Sequence, residues 1–155
     1  MQYPVHTAYA HAIPTAVVRR RASRQELSKV VPEACGTVWQ VVKSLGLKGA
    51  GRNLAVYLTC SLDQIDLEVC VELAAPFGGH GEVIDSHTPV GEVATVTHFG
   101  PYGALGAAHQ AVRDWCAANG RTPAGPNWEM YGHWLQEWNN DPSKIRTDVF
   151  YLLRN

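Results

Sequence analysis

The sequence predicts an α+β domain made of two copies of a β-α-β-β unit. Its 155 residues suffice for one domain or for two small halves packed together. An internal repeat is visible when Val38 is aligned with Val112, a shift of 74 positions. Within each copy, one stretch has helical periodicity and three stretches have strand character. We expect a single domain over residues 1–155, with copies at about 8–74 and 86–155.

The repeat aligns residues that begin and end secondary structure. The aligned pairs are Val38 and Val112, Gly46 and Gly120, Ala50 and Ala124, Gly51 and Gly125, Asn53 and Asn127, and Tyr57 and Tyr131. Glycine just after a helical stripe is typical of a helix end, because glycine accepts a left-handed backbone. Both copies therefore predict a helix that ends at glycine, an Ala-Gly turn, and a strand between Asn and Tyr.

The first copy predicts a strand over 16–21, a helix over 32–45, and strands over 54–60 and 65–73, with a turn at 61–64 between the last two. Pro32 suits the first helical turn, where its missing N–H leaves nothing unpaired. Apolar residues at 3.6-residue spacing form one stripe of this helix. The stripe contains Val31, Ala34, Cys35, Val38, Val42 and Leu45.

The second copy predicts a strand over 92–99, a turn at 100–103, a helix that ends at Gly120, and strands over 128–134 and 146–153. Its helical stripe contains Leu105, Ala108, Val112 and Trp115. Residues 75–89 have glycine, proline and little periodicity, which predicts a surface linker. The repeat predicts one antiparallel sheet of about eight strands with two helices on one face. A pseudo-twofold axis would pass between the helices and leave a central cleft.

Composition excludes several classes of function. The 13 Lys and Arg against 14 Asp and Glu give a net charge of −1, so no global positive field attracts nucleic acid or an anionic membrane. Neither a secretion signal nor an apolar run long enough to cross a bilayer is evident. We expect a cytoplasmic protein, with the monomer and the homodimer both open.

The four cysteines and seven histidines have no spacing that is typical of a metal site. We therefore expect Cys35, Cys60, Cys70 and Cys116 to be buried apolar groups, and we expect neither metal nor cofactor.

A series of short motifs resembles the GyrI-like (gyrase-inhibitor-like) family, which includes effector-binding domains of bacterial transcription activators. The motifs are Gly100-Pro101-Tyr102-x-x-Leu105, Trp115, Gly120, Glu129-x-Tyr131, Asp141-Pro142 and Arg146-Thr147-Asp148-Val149. The resemblance implies a doubled β-α-β-β fold with a central pocket for small aromatic or cationic molecules. It also implies that some stand-alone members hydrolyse cyclopropane-bearing, DNA-alkylating natural products. No DNA-binding helices precede these motifs, so direct nucleic-acid binding is not expected.

Glu129 is the strongest candidate for a functional residue. The repeat aligns it with Ala55, so a carboxylate stands in one copy where its twin has a methyl group. Strand alternation predicts Glu129, Tyr131 and His133 on one face. The resemblance implies that Glu129 lies at the base of the pocket and that Tyr102 lines it. The predicted ligand-binding set is Trp39, Tyr57, Phe99, Tyr102, Glu129, Tyr131 and His133.

Three functions remain open at this point. The first is a stand-alone binding protein that senses or sequesters hydrophobic, aromatic or cationic compounds, with Glu129 as the charged anchor. The second is a hydrolase of cyclopropane-bearing natural products, in which Glu129 is catalytic and activates water. The third is a module that binds gyrase or another protein. The alternative to all three is that Glu129 and Tyr131 are ordinary surface residues without a function in binding or catalysis.

Three further features have two readings each. Arg19–Arg21 form either a phosphate-binding patch or, as we expect, charges on a solvated edge strand. His98 is either a ligand contact or a satisfied buried histidine. The segment with Trp134, Leu135 and Trp138 is either a packed flap or, as we favour, a lid.

Overall fold

The computed structural model describes residues 3–61 and 63–155, without the side chain of Cys60. Two helices are present, α1 at Leu27–Ser44 and α2 at Leu105–Ala118. The strands are β1 His6–Ala10, β2 Pro14–Ala22, β3 Asn53–Cys60, β4 Ile65–Glu72, β5 Ile84–His87, β6 Gly91–Phe99, β7 Pro123–Tyr131 and β8 Arg146–Leu153. These eight strands form one open antiparallel sheet, so the predicted α+β class is confirmed.

The chain divides into two compact units. The first unit is His11–Pro89, and its strands follow the order β3-β4-β2-β5. Helix α1 packs against β2 and β4. The core between them is apolar, with Val38 and Val42 of the helix facing Val69 and Val71 of β4.

The second unit consists of residues 3–10 and Val90–Asn155, and its strands follow the order β1-β6-β8-β7. It takes its outer strand β1 from the N-terminal segment, which pairs with β6. Helix α2 packs against β6 and β8. Ala108 and Val112 of the helix meet Val96 and Val149 of the strands in a second apolar core.

The predicted helix ends are confirmed by their geometry. Gly46 and Gly120 follow α1 and α2 with φ of 61° and 63°. The N–H of Leu47 donates to the carbonyl of Val42 at 3.0 Å, and the N–H of Arg121 donates to Cys116 at 2.9 Å. Both bonds connect the second residue after the cap with the last helical turn, which is the Schellman pattern.

The predicted start of α1 was wrong. The helix begins at Leu27, so Pro32 lies inside it rather than in its first turn. A 3-10 turn at Arg24–Glu26 precedes it, and Ser23 and Glu26 cap each other reciprocally. Ser-x-x-Glu is the sequence signature of a capping box, so Ser23 and Glu26 were a better signal for the helix start than Pro32. At the other end Leu45, predicted on the apolar stripe of the helix, lies just beyond the helix and is 45% exposed.

The predicted linker contains a strand. Ile84–His87 forms β5 and pairs with β2 over Pro14–Val17. Because β4 occupies its other side, β2 is an inner strand and not the predicted edge. Its arginines form ion pairs with acidic residues on neighbouring segments: Arg19 with Glu68, Arg20 with Glu82, and Arg21 with Asp66. Arg19–Arg21 therefore contribute to the surface of the sheet.

Cys35, Cys70 and Cys116 are free thiols, and the last two are buried. The side chain of Cys60 and the whole of Leu62, which falls in the predicted turn at 61–64, lie outside the described residues. Among the described residues, neither helix has the length and hydropathy to cross a membrane. The same part of the chain has no group of three His, Cys, Asp or Glu residues arranged to hold a metal ion.

Candidate functional site

Glu129 lies on β7 of the second unit and is only 7% exposed. Its cross-strand neighbour is Val149 of β8, which belongs to the core under α2. Trp128 lies on the opposite face and stacks on Phe150 at 5.3 Å between ring centroids. Strand alternation therefore turns the carboxylate of Glu129 towards the helix and away from solvent.

Both carboxylate oxygens of Glu129 accept hydrogen bonds. The hydroxyl of Tyr131 donates to Oε1 at 2.7 Å. Nε2 of His109, on α2, lies 2.6 Å from Oε2. These contacts partly replace the water that burial removes, which is the condition for keeping an ionised carboxylate inside a protein.

The hydrogen bonds continue from His109 to the next helical turn. Nδ1 of His109 lies 2.7 Å from the hydroxyl of Tyr151 on β8. Nη1 of Arg113 donates to the same hydroxyl at 3.1 Å, and Nη2 of Arg113 donates to Gln110 at 2.9 Å. We call the connected side chains Arg113, Tyr151, His109, Glu129 and Tyr131 the polar column of the second unit.

Tyr102 gives the polar column an aromatic neighbour. Its ring meets the ring of Tyr131 edge to face, with centroids 5.6 Å apart and planes at 80°. Tyr102 follows Gly100-Pro101 in the turn that leads into α2, and it is 43% exposed. Tyr131 is therefore shared between a buried carboxylate and an exposed aromatic ring, an arrangement that can attract a cation by charge and by ring quadrupole.

The structure separates two predicted site residues from this cluster. Phe99 ends β6 and is 50% exposed; its neighbour His98 is buried, so alternation turns Phe99 to the face opposite Glu129. His133 is exposed and lies beyond β7, which ends at Tyr131 and not at Trp134 as predicted. Strand alternation therefore does not place His133 on the face of Glu129 and Tyr131.

Trp39 and Tyr57 belong to the first unit and pack at the edge of its core. Nε1 of Trp39 donates to Oδ1 of Asn53 at 2.7 Å, which connects α1 to the start of β3. The ligand-binding roles of Trp39, Tyr57, Phe99 and His133 stay predictions.

His98 is a buried histidine with both ring nitrogens engaged. Nε2 lies 3.1 Å from the carbonyl of Pro101, and Nδ1 lies 2.9 Å from the hydroxyl of Tyr3. A carbonyl only accepts, so Nε2 carries a proton and donates to Pro101. His98 therefore connects the N-terminal segment to the turn that carries Tyr102.

The tryptophan-rich segment after β7 is anchored by one of its two indoles. Trp138 is 5% exposed, whereas Trp134 is 52% and Leu135 is 49% exposed. The two indoles meet edge to face, with centroids 5.3 Å apart. The exposed end of this segment keeps the predicted lid as a hypothesis.

Sequence reasoning missed three members of the polar column: His109, Arg113 and Tyr151. A signal was available for the first two. His109 comes directly after Ala108, which is a member of the apolar stripe of α2. The repeat aligns His109 with Cys35 and Arg113 with Trp39. Polar residues in one copy opposite apolar residues in the other mark a site in the same way that Glu129 and Ala55 do.

Comparison with known families and structures gives consistent results. A family model described as a GyrI-like small molecule binding domain matches residues 9–154. No curated protein shows a significant sequence match.

Several solved structures are similar in fold. The crystal structure of the EcmrR C-terminal domain has a TM-score of 0.80 at 20% identity, covering 100% of this chain and 99% of that one. SAV2435 bound to tetraphenylphosphonium has a TM-score of 0.63 at 11% identity, with 100% and 95% coverage. A hydrolase from Listeria innocua has a TM-score of 0.65 at 10% identity, with 97% and 91% coverage. At such identities the similarity supports the fold alone.

Proposed function

Because the chain belongs to the GyrI-like small molecule binding domain family, we propose that it binds hydrophobic aromatic cations and that Glu129 is the charged anchor. The observation that carries the proposal is the burial of a carboxylate, 7% exposed, beside the tyrosine pair Tyr102 and Tyr131. The expected role is sensing or sequestration of such compounds.

The chemistry of the site favours a cation over a neutral ligand. A carboxylate that has lost most of its hydration gains more from a nearby positive charge than a solvated one does. Each aromatic face in contact with the cation adds about 0.5–2 kcal/mol of quadrupole attraction. An aromatic cation uses both, since its rings can stack on Tyr102 while its charge lies near Glu129.

The test is the affinity of tetraphenylphosphonium, the cation bound in the SAV2435 structure, for the wild type and for Glu129→Gln. Glutamine keeps the shape and removes the charge. Loss of a buried charge partner costs about 2–5 kcal/mol, so affinity should fall at least about thirtyfold, mostly through faster dissociation. Neutral triphenylphosphine oxide should bind both proteins equally.

Glu92→Gln is the matched control, since Glu92 is a more exposed glutamate on β6 of the same unit, ion-paired with Arg121. It should bind tetraphenylphosphonium like the wild type. Equal affinity in Glu129→Gln, in a variant that unfolds at the wild-type denaturant concentration, would exclude Glu129 as the anchor.

The hydrolase alternative has one supporting observation, the 2.6 Å contact between His109 and Glu129. A carboxylate that exchanges a proton with an imidazole can serve as a general base towards water. In that case a cyclopropane-bearing alkylator would be converted to its water adduct by the wild type and not by Glu129→Gln. Mass spectrometry of the two incubations distinguishes this function from simple binding.

A further inference from the structure

We infer that His109 is a positioning residue that couples cation binding at Glu129 to the release of a proton. This inference rests on the proposed function, because it concerns the charge of the same carboxylate. His109 is 14% exposed at its side chain and holds Glu129 from the helix side. The polar column therefore contains a group that can change the net charge of the site without contacting the ligand.

The hydrogen-bond partners determine where the protons lie. Arg113 can only donate, so the oxygen of Tyr151 accepts from it at 3.1 Å. The single hydroxyl proton of Tyr151 can then point to Nδ1 of His109 at 2.7 Å. Nε2 of His109 carries a proton and donates to the carboxylate of Glu129 at 2.6 Å. In this arrangement each of these three bonds has one donor and one acceptor, with a neutral His109 and an ionised Glu129.

A second proton on His109 changes this arrangement. Nδ1–H can no longer accept from Tyr151, and the oxygen of Tyr151 then faces two donors, His109 and Arg113. In exchange, an imidazolium forms an ion pair with Glu129 and cancels the charge that would attract a ligand. Arg113 opposes this form by repulsion, and Glu129 favours it. His109 therefore competes with an external cation for the same carboxylate.

In the described part of the chain, ionisable groups near His109 lie on its own helix and on β7 and β8. On α2, Arg113 is bonded to Tyr151, and Asp114 is bonded to Gln110. From β7 come Glu129 and Tyr131, and from β8 comes Tyr151.

The remaining elements around α2 contribute apolar or engaged side chains. From β6 the facing residues are Ala94, Val96 and His98, and His98 is already bonded to Tyr3 and Pro101. The turn before α2 contributes Tyr102, packed on Tyr131. The pair His109–Glu129 is therefore a direct link between the proton and the ligand.

The consequence has a definite sign. A cation bound at Glu129 stabilises neutral His109, so binding releases a proton when His109 is protonated in the free protein. Affinity should fall as the pH drops below the titration midpoint of His109, towards a limit of tenfold per pH unit. Above that midpoint affinity should not depend on pH.

The experiment measures tetraphenylphosphonium affinity between pH 5 and pH 8.5, because the charge of this cation does not titrate. The wild type should bind progressively more weakly at acidic pH, whereas His109→Gln should give a flat profile, since glutamine donates to Glu129 without titrating. His6→Gln, a change at an exposed histidine on β1, should behave as the wild type. Calorimetry in two buffers of different ionisation heat should show proton release on binding for the wild type and none for His109→Gln.

A second measurement needs no ligand. NMR titration of the His109 ring in the free protein should give a lower midpoint in Glu129→Gln and a higher midpoint in Arg113→Met. If tetraphenylphosphonium fails to bind although the midpoints shift as expected, the proposed ligand class is wrong. The inferred coupling of cation binding to proton release is then wrong as well. If the cation binds with a flat wild-type pH profile, or the Glu129→Gln midpoint does not move, the role of His109 is wrong while the proposed function stands.

Discussion

Four equivalent positions are polar in the second unit and apolar in the first. The repeat aligns Cys35 with His109, Trp39 with Arg113, and Ala55 with Glu129. Strand register adds a fourth pair, because Val71 lies opposite Asn53 and Tyr151 lies opposite the equivalent Asn127. The polar column of the second unit therefore has an apolar counterpart in the first, which consists of Cys35, Trp39, Ala55 and Val71.

The apolar counterpart serves packing. Ala55 and Val71 are fully buried, and Cys35 and Trp39 pack against the same core. Burial raises the pKa of the Cys35 thiol to about 11, because the thiolate would lose its hydration there. Trp39 keeps a single polar bond, to Asn53. These four side chains stabilise the layer between helix and sheet and offer a ligand no charge.

The polar column lies between helix and sheet of the second unit, where the burial of polar groups costs desolvation free energy. A buried carboxylate and a largely buried imidazole are tolerated only when each finds partners. Here Glu129 is bonded to His109 and His109 to Tyr151, which the exposed Arg113 also contacts. In a duplicated unit, one copy can thus contribute apolar packing while the other contributes the polar groups of a candidate site. Four predictions test this division of roles.

The largest effect is expected from Ala55→Glu, which places the carboxylate of the second unit into the first. Tyr57 stands at the position of Tyr131, but Cys35 and Val71 occupy the positions of His109 and Tyr151, so the new carboxylate lacks its histidine partner. A buried charge without this partner should lower the free energy of unfolding by about 3–5 kcal/mol. Urea denaturation measures the change.

Ala8→Glu is the control for this substitution, because Ala8 is exposed on β1. It should change stability by less than about 0.5 kcal/mol. An equally small effect of Ala55→Glu would mean that the first unit can also accommodate a carboxylate, and the contrast between the units would not hold.

A smaller effect is expected from the thiol that replaces His109 in the first unit. With the pKa of Cys35 raised from 9.0 to about 11, its thiolate fraction at pH 8 is about a hundredfold lower than in the unfolded chain. Alkylation of folded Cys35 by iodoacetamide should be slower by about that factor, as followed by peptide mass spectrometry. Equal rates in the folded and urea-unfolded protein would contradict the assigned burial.

The same shift has a consequence for stability. The unfolded chain loses the Cys35 proton at lower pH than the folded chain, so the free energy of unfolding should decrease as pH rises from about 9 to 11. Below pH 9 this residue contributes no pH dependence. Cys35→Ala removes the contribution and serves as the reference.

The smallest effects are expected where the two units are alike. Gly46 and Gly120 both have positive φ, and a Cβ at either would meet no atom within 4 Å. Gly46→Ala and Gly120→Ala should therefore each cost about 1–2 kcal/mol through the left-handed backbone alone. Thermal or urea unfolding should give two values that agree within about 0.5 kcal/mol. A large difference would show that the two helix ends are not equivalent.

Local features of this protein were predictable where the signal was short-range. The strand 146–153 and both helix ends follow from alternation and from a glycine after the last helical turn, and both need only a few neighbouring residues. β1 and β5 were not predicted, since a four- or five-residue strand at the edge of a unit carries little periodicity. Their pairing with β6 and β2 depends on residues far away in the sequence.

The candidate site divides along the same line. Glu129 and Tyr131 were predictable as neighbours, because two residues on one strand point to the same face. Their contact with His109 was not, since it depends on which residue of α2 lies over β7 once the helix has packed.

The amino-acid sequence alone determined the doubled architecture, the C-terminal helix ends and the carboxylate of Glu129 opposite Ala55, because each follows from local pattern or from the comparison of one copy with the other. Only the tertiary structure decided that Glu129 is held by His109 and that His109 leads on to Tyr151 and Arg113. The physical reason is that a hydrogen bond requires two atoms within about 3 Å. Residues 20 and 42 positions apart reach that distance only when helix packing and strand register are both in place.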